Sequence, residues 1–394
     1  MNYNEMSLRL HEKMSGKLEI KSKVAIENRD DLSVAYTPGV AEPCRRIHEN
    51  KEDVYKYTVK GNMVAVVTDG SAVLGLGNIG PEAALPVMEG KAILFKEFGN
   101  VDAFPICLDT QDPDEIVQAV KWIAPGFGGI NLEDISAPRC FEIEKRLKEL
   151  LDIPVFHDDQ HGTAIIVCAA LINALKIVKK EMSTIKVAVN GAGAAGTSIV
   201  QLLQSFGCKN IVVCDKEGIL NPNITHNNSF KENLSKSTNP EKLTGNLSLA
   251  MTNADLFIGV SAPDMVTQDM IRLMAKDAIV FAMANPIPEI MPDLAIAAGA
   301  RIVGTGRSDF DNQINNVLAF PGIFRGALDA RASDINEEMK KAAVYAIAEM
   351  VKDDELSERY VIPYALNKEV GSAVAKAVAK AAVESGVARV KIEE

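Results

Sequence analysis

Two pairs of neighbouring carboxylates each close a short apolar run. Glu133 and Asp134 follow residues 130–132, and Asp158 and Asp159 follow residues 155–156. Acids at strand ends converge on the rim of a sheet, where a hard cation can gather them. An all-oxygen set suits Mg2+ or Mn2+ better than Zn2+. Solvated loop acids are the ordinary alternative, and spacing alone leaves both open. His157 and His161 flank the second pair in HDDQH. Histidines four apart on a helix can ligate zinc. Here the first closes a strand and the glutamate of a zinc-protease helix is missing, so zinc is set aside.

A glycine turn offers different chemistry. Gly191, Gly193 and Gly196, spaced by Ala192, Ala194 and Ala195, fit G-x-G-x-x-G. A strand pattern (185–189) precedes the turn, a helix pattern (195–206) follows, and a second strand ends at Asp215. That context predicts a dinucleotide site: the backbone approaches a pyrophosphate, the helix N-terminus faces it, and Asp215 accepts from ribose hydroxyls. A structural turn beside an unrelated acid is the plain alternative. A carboxylate at 215 repels a 2′-phosphate and favours NAD, while the adjacent Lys216 leaves NADP open. Residues 75–80 (GLGNIG) fit the same pattern, with Asp102 downstream. That acid begins its strand rather than ending it, so this loop is assigned to a substrate-binding part. Tyr36 in AYTPGV and Lys91 in EGKA are single residues whose surroundings alone do not mark them as catalytic.

The elements that must hold these groups alternate. Strand patterns cover 63–68, 103–108, 130–132 and 155–156, with helices at 81–98, 112–122 and 138–151. A long apolar helix follows from 162 to about 179. Further strands are expected at 211–214, 256–260, 279–282 and 302–304, and a terminal helix over 371–390. Residues 221–246, rich in Asn, Ser and Thr, read as an exposed excursion. Short strands alternating with helices predict an α/β protein with parallel sheets covered on both faces. At 394 residues two domains are expected: an N-terminal α/β substrate and metal domain over 1–160, then a Rossmann-type doubly wound domain over 161–394 with a helical tail.

A net charge of -11 without a basic run argues against nucleic acid or an anionic membrane as partner. The apolar stretch 163–175 reads as a buried helix rather than a bilayer span. The N-terminus lacks the apolar core of a signal peptide. Six scattered cysteines without a C-x-x-C pair suit buried thiols in a reducing compartment. A cytoplasmic location is expected.

Taken together, the segments SVAYTPGVAEPCR, VTDGSAVLGLGNIG, EGKAILFKEFGNVDAFPI, NLEDISAPRCFEIE, PVFHDDQHGTA, NGAGAAG, ANPIPEI, INNVLAFPGIFRGALDARA and ERYVIPYAL resemble the malic enzyme family in its short bacterial and archaeal form. The resemblance implies NAD(P)-dependent oxidative decarboxylation of malate to pyruvate with Mg2+ or Mn2+. It implies Tyr36 as general acid, Lys91 as general base, and Glu133, Asp134 and Asp159 as metal ligands supported by Asp158. Asn285 and Asn316 would hold malate, Asn285 also bordering the cofactor, and Gly191, Gly193, Ala194, Ala195 and Gly196 would underlie the pyrophosphate. A homodimer or higher homo-oligomer is implied. One departure is visible: larger relatives carry an arginine after Thr-Asp-Gly that clamps a malate carboxylate, and here Ser71 and Ala72 stand there. A lysine serves as base only if its pKa falls, which burial and a nearby cation would favour. Rival readings are a malolactic or oxaloacetate-decarboxylating enzyme on the same fold, a non-catalytic dinucleotide sensor, and a metal-dependent hydrolase.

Overall fold

The structure is a computed structural model describing residues 2–226 and 228–391. It begins with four helices, α1 (Tyr3–Met14), α2 (Arg29–Ala35), α3 (Ala41–Glu49) and α4 (Val54–Tyr57), none of which has a buried residue. The first sheet follows: β1 (Met63–Thr68), α5 (Pro81–Gly99), β2 (Asp102–Cys107), α6 (Pro113–Ile123), β3 (Gly129–Leu132), α7 (Arg139–Leu150) and β4 (Val155–His157). Its order is β2-β1-β3-β4, all parallel. β1 runs MVAVVT and is buried on both faces, as a central parallel strand must be. The expected helix start at Asp112 is a cap: its carboxylate accepts from the N–H groups of Asp114 and Glu115, and Pro113 opens the helix.

α8 (Asp158–Val178) leads to the second sheet. It starts four residues before the sequence expectation, with Asp158 and Asp159 in its first turn. Acids are favoured there by the helix dipole, so the second acidic pair belongs to a helix start rather than a loop. α8 is long and apolar enough to cross a membrane, but it lies mostly buried, packed against later helices. Its one polar mid-helix residue, Asn173, donates to the carbonyls of Ala348 (2.9 Å) and Val361 (3.0 Å).

β5 (Lys186–Asn190), α9 (Ala194–Ser205), β6 (Asn210–Asp215), β7 (Gly218–Ile219), α10 (Ser229–Ser237), α11 (Leu247–Met251), β8 (Leu256–Gly259), α12 (Gln268–Arg272), β9 (Ile279–Ala282), α13 (Pro292–Ala297) and β10 (Ile302–Thr305) complete that sheet. Its order is β10-β9-β8-β5-β6-β7, parallel except for β7. β5 lies between β6 and β8, so the chain reverses direction across the sheet at the glycine turn, where ligands bind in such sheets. Residues 221–246 are not simply an exposed excursion. They hold α10, and Asn221 and Asn239 are buried with their amides bonded to nearby carbonyls. These two amides satisfy backbone, while residues 223–225, 240–242 and 244–246 are exposed as expected.

α14 (Phe320–Asp329), α15 (Glu337–Glu349) and α16 (Lys368–Glu384) end the chain. They return to the first sheet: Phe95 of α5 meets Phe320 and Phe324 of α14 edge to face at 4.7 and 5.2 Å. α16 can lie close to α14 because a Cβ on Gly326 would come within 2.4 Å of the Ala375 carbonyl.

Candidate active site

The acids sit at the carboxyl edge of the first sheet. The Glu133 amide donates to the Val67 carbonyl at 2.9 Å, continuing the β1–β3 pairing, and Asn131 Nδ2 donates to Glu133 Oε2 at 2.9 Å. Asp134 takes a left-handed φ of 55°, and its amide donates to Asp159 Oδ2 at 2.8 Å. Glu133, Asp134 and Asp159 each bring a carboxylate oxygen within 4.8 Å of the others. Glu133 and Asp134 are almost fully buried, and Asp134 Oδ2 has no hydrogen-bond partner. Burial, then the Asp159 charge, pushes Asp134 up to about 8. Burial raises Glu133 well above the usual range against the pull of Lys91. Buried like charges with an orphaned oxygen are costly unless a cation joins them. The oxygen donor set fits Mg2+ or Mn2+.

Lys91, on α5, points into this cluster. Its Nζ lies 2.7 Å from Asp158 Oδ2, 3.0 Å from Glu133 Oε1 and 4.4 Å from the centre of the Phe320 ring. Burial alone lowers a lysine, but Asp158, Glu133 and Asp159 outweigh it and raise Lys91 above its ordinary value. The fall that a base needs, expected from burial together with a nearby cation, is opposed here by the acids, whose charge such a cation would share.

Asp158 is fully buried, shares Lys91 with Glu133, and also accepts from Asn316 Nδ2 (2.5 Å). Its other oxygen would lie 1.9 Å from a Cβ on Gly162. Gly162 is therefore a site residue the motif search passed over; a glycine inside a helix was the available signal. His157 is buried, with Nδ1 3.7 Å from Asp159 Oδ2. His161 instead bonds both Glu144 oxygens at 2.8 and 3.0 Å, so the two histidines have separate partners. Burial opposes the Glu144 charge, but His161 and its hydrogen bond hold that carboxyl at about 2.

The glycine turn stands at the carboxyl end of β5. Gly191 has φ +121°, and a Cβ there would lie 2.5 Å from the Val260 carbonyl. A Cβ on Gly196 would lie 1.8 Å from the Gly191 carbonyl, whereas Gly193 faces open space. With Ala194 and Ala195 opening α9, this leaves a backbone cradle for a pyrophosphate. Asp215 ends β6 and accepts from the Glu217 amide at 2.8 Å, and Lys231 Nζ of α10 lies 2.5 Å from its carboxylate. The cation on Asp215 is Lys231, and no local pattern marks it; Lys216 is expected only to ease a 2′-phosphate.

Asn285 follows β9 and is exposed at the carboxyl edge of the second sheet. The loop after β1 reaches it: a Cβ on Gly75 would lie 2.7 Å from the Asn285 carbonyl. Glu289, also unforeseen, is fully buried and accepts from the amides of Ser261 (2.8 Å) and Ala284 (3.1 Å), tying the ends of β8 and β9 together. Asp102 starts β2 and bonds Lys96 and Asn62, away from the carboxyl edge, as expected for the second glycine pattern. The single chain does not bring Tyr36 to this site. It caps α2, is 67% exposed, and makes no hydrogen bond to Lys91 or the acids.

Residues 15–148 match the malic enzyme N-terminal domain, and residues 160–383 match the malic enzyme NAD-binding domain. The chain is 62% identical to the bifunctional malic/malolactic enzyme of Bacillus subtilis, covering 100% of this chain and 96% of that protein. It is 58% identical to the NAD-dependent malic enzyme of Geobacillus stearothermophilus, covering 99% of this chain and 81% of that one. The crystal structure of malic enzyme from Pyrococcus horikoshii superposes with a TM-score of 0.94 at 50% identity, covering 99% of this chain and 93% of that one. Both halves of the chain, and its full-length likeness in sequence and in fold, lead to one conclusion: the chain belongs to the malic enzyme family.

Proposed function

We propose that this protein oxidises (S)-malate with NAD and decarboxylates the product to pyruvate and CO2, with Mg2+ or Mn2+ as cofactor. The observation that carries this is the acid trio of buried Glu133 and Asp134 with part-exposed Asp159, Lys91 against it, and the loop after β1 reaching Asn285 of the second sheet. Residues up to 160 would carry metal and substrate groups, and the rest the cofactor, with Asn285 and Asn316 reaching back to malate.

Glu133, Asp134 and Asp159 would hold the ion, which would supply Lewis-acid stabilisation of negative charge on the substrate oxygens. Lys91 takes the proton of the C2 hydroxyl as hydride passes from C2 to the nicotinamide. Asp158 and Asn316 orient Lys91. The carboxylate β to the new carbonyl leaves as CO2, and its bonding electrons remain at C3, where Tyr36 delivers a proton. Malate and NAD+ thus become pyruvate, CO2 and NADH. The test is absorbance at 340 nm with malate and NAD or NADP, with and without Mn2+. NADH formation that needs the metal supports the reading; none with metal present overturns it.

A second activity has a specific observation behind it, the likeness to a bifunctional malic/malolactic enzyme. If pyruvate is reduced before NADH leaves, the same site yields lactate without net NADH, and lactate in the reaction mixture reports it.

We further propose a homo-oligomer. The N-terminal arm has no buried residue in its four helices, and along it Tyr3, Leu8, Ile20, Val34 and Tyr36 are exposed. Packing this arm on a second copy covers that surface and offers Tyr36 to the other copy's site. Cytoplasmic location is proposed from the six unpaired cysteines, four of them buried; Cys44 is exposed and Cys107 partly so.

A further inference from the structure

Malate is a dianion, and the cluster that would receive it is rich in acids. The loop from Thr68 to Gly80 contains no cation. Lys91 is committed to Asp158 and Glu133. Arg139 is committed to the buried Asp69 at 3.1 Å and to Ser136 Oγ at 2.9 Å. An ion held by Glu133, Asp134 and Asp159 would spend its charge largely on those acids, so a further side-chain cation is needed to answer the dianion.

Arg307 is placed to do so. It lies in the loop after β10, at the carboxyl edge of the second sheet. Contacts run from the metal trio to it without a break. The Ala72 amide, at the start of the same loop, donates to the Asp134 carbonyl at 2.9 Å. Gly75 abuts the Asn285 carbonyl, and a Cβ on Gly306 would lie 2.8 Å from Asn285 Nδ2. Arg307 Nη1 lies 3.4 Å from the Pro286 carbonyl. The guanidinium is already oriented. Its Nε and Nη2 donate to the two oxygens of Asp309 at 2.9 and 2.7 Å, and the Phe310 ring lies 5.3 Å from it. A guanidinium has two edges that can each hold a carboxylate. Asp309 occupies one, and the outer Nη1–Nη2 edge has only the long contact to Pro286.

We propose that Arg307 binds the malate carboxylate that is retained in pyruvate, taking the place of an arginine after Thr-Asp-Gly. The retained carboxylate follows from the chemistry. Its charge is the same in malate and in pyruvate, so a clamp there binds every state alike. A clamp on the departing carboxylate would stabilise a charge that must vanish as CO2 forms, and would slow the reaction. Arg307 is therefore a substrate-binding residue that governs KM more than kcat.

The proposal rests on the malate-oxidising function, so wild type is assayed first with saturating Mn2+; absence of malate oxidation there is a failure of that function and takes the clamp with it. With wild type active, Arg307→Gln raises the malate KM about ten- to a hundredfold, with a smaller fall in kcat and an unchanged NAD KM. Arg307→Lys keeps the charge without the fork and falls between; it decides the matter if the glutamine variant does not fold. An unchanged malate KM in either folded variant overturns the assignment. So does a rise in the NAD KM in place of the malate KM, which would give the guanidinium to the cofactor.

Discussion

The two sheets solve the problem of holding an anionic or metal-bound ligand in opposite ways. At the first sheet, side chains carry the chemistry: buried carboxylates with an orphaned oxygen, and a lysine locked against them. At the second, backbone carries it: a glycine turn packed too closely on itself and on Val260 for a Cβ at Gly191 or Gly196, and open at Gly193. The first arrangement is frustrated until a cation arrives. The second is complete as folded. Changes at the acid end should therefore act on chemistry and metal affinity, and changes at the glycine end on cofactor affinity and choice.

The largest effect should come from Lys91→Ala. Malate oxidation should fall by about 10²-fold or more, while NADH binding, followed by fluorescence, stays near wild type. Loss of both would mean that the two ends are not separable. Next comes Tyr36→Phe. Pyruvate formation should fall more than reduction of added oxaloacetate. If the tyrosine is donated by a second copy, mixing this variant with Lys91→Ala and allowing exchange should restore part of the activity. Mixtures no more active than either variant would place both groups on one chain.

Gly162→Ala is intermediate. The methyl group overlaps Asp158 Oδ1, so Asp158 must shift and loosen its hold on Lys91. Overpacking of this kind costs on the order of 1–3 kcal/mol. Activity should drop at least tenfold (about 1.4 kcal/mol) with a lower Tm, and an unaffected enzyme would show that the Asp158–Lys91 pair is dispensable. At the glycine end, Asp215→Ser should shift kcat/KM toward NADP by removing a carboxylate that repels a 2′-phosphate. Lys231→Ala should shift it the other way by leaving Asp215 uncompensated. A fixed NAD to NADP ratio in both would move cofactor choice to another loop.

The smallest effect is on stability. Folding lowers the Glu144 carboxyl from 4.5 to about 2. A depressed acid contributes stability above its unfolded pKa and loses it as pH falls toward the folded one. Burial lowers the His161 pKa, so at neutral pH the partner is a neutral ring and the contribution is that of a hydrogen bond to a carboxylate, on the order of 1–3 kcal/mol. Glu144→Gln should lower Tm at pH 7, and the gap from wild type should close between about pH 4.5 and 2. A gap independent of pH would show that packing, not charge, sets the difference.

Local sequence determined what depends on neighbouring residues. The run MVAVVT makes a central strand, Pro113 and Asp112 start a helix, and Gly191, Gly193 and Gly196 make a turn, because sterics and backbone hydrogen bonding act over a few residues. The acidic pairs were legible as pairs for the same reason. What each acid faces was not. Asp158 and Asp159 are adjacent, yet consecutive helical residues project about 100° apart, so one turns to Lys91 and the other to Asp134. Asn316 reaches Asp158 across 158 residues of sequence, and Lys231 reaches Asp215 from a segment that reads as loop. The field on Lys91 was not legible: burial can be inferred from an apolar helix, but the opposing field of three carboxylates arises only when two strand ends and a helix start meet. Coulomb energy and desolvation depend on distance through space, and tertiary structure alone sets those distances.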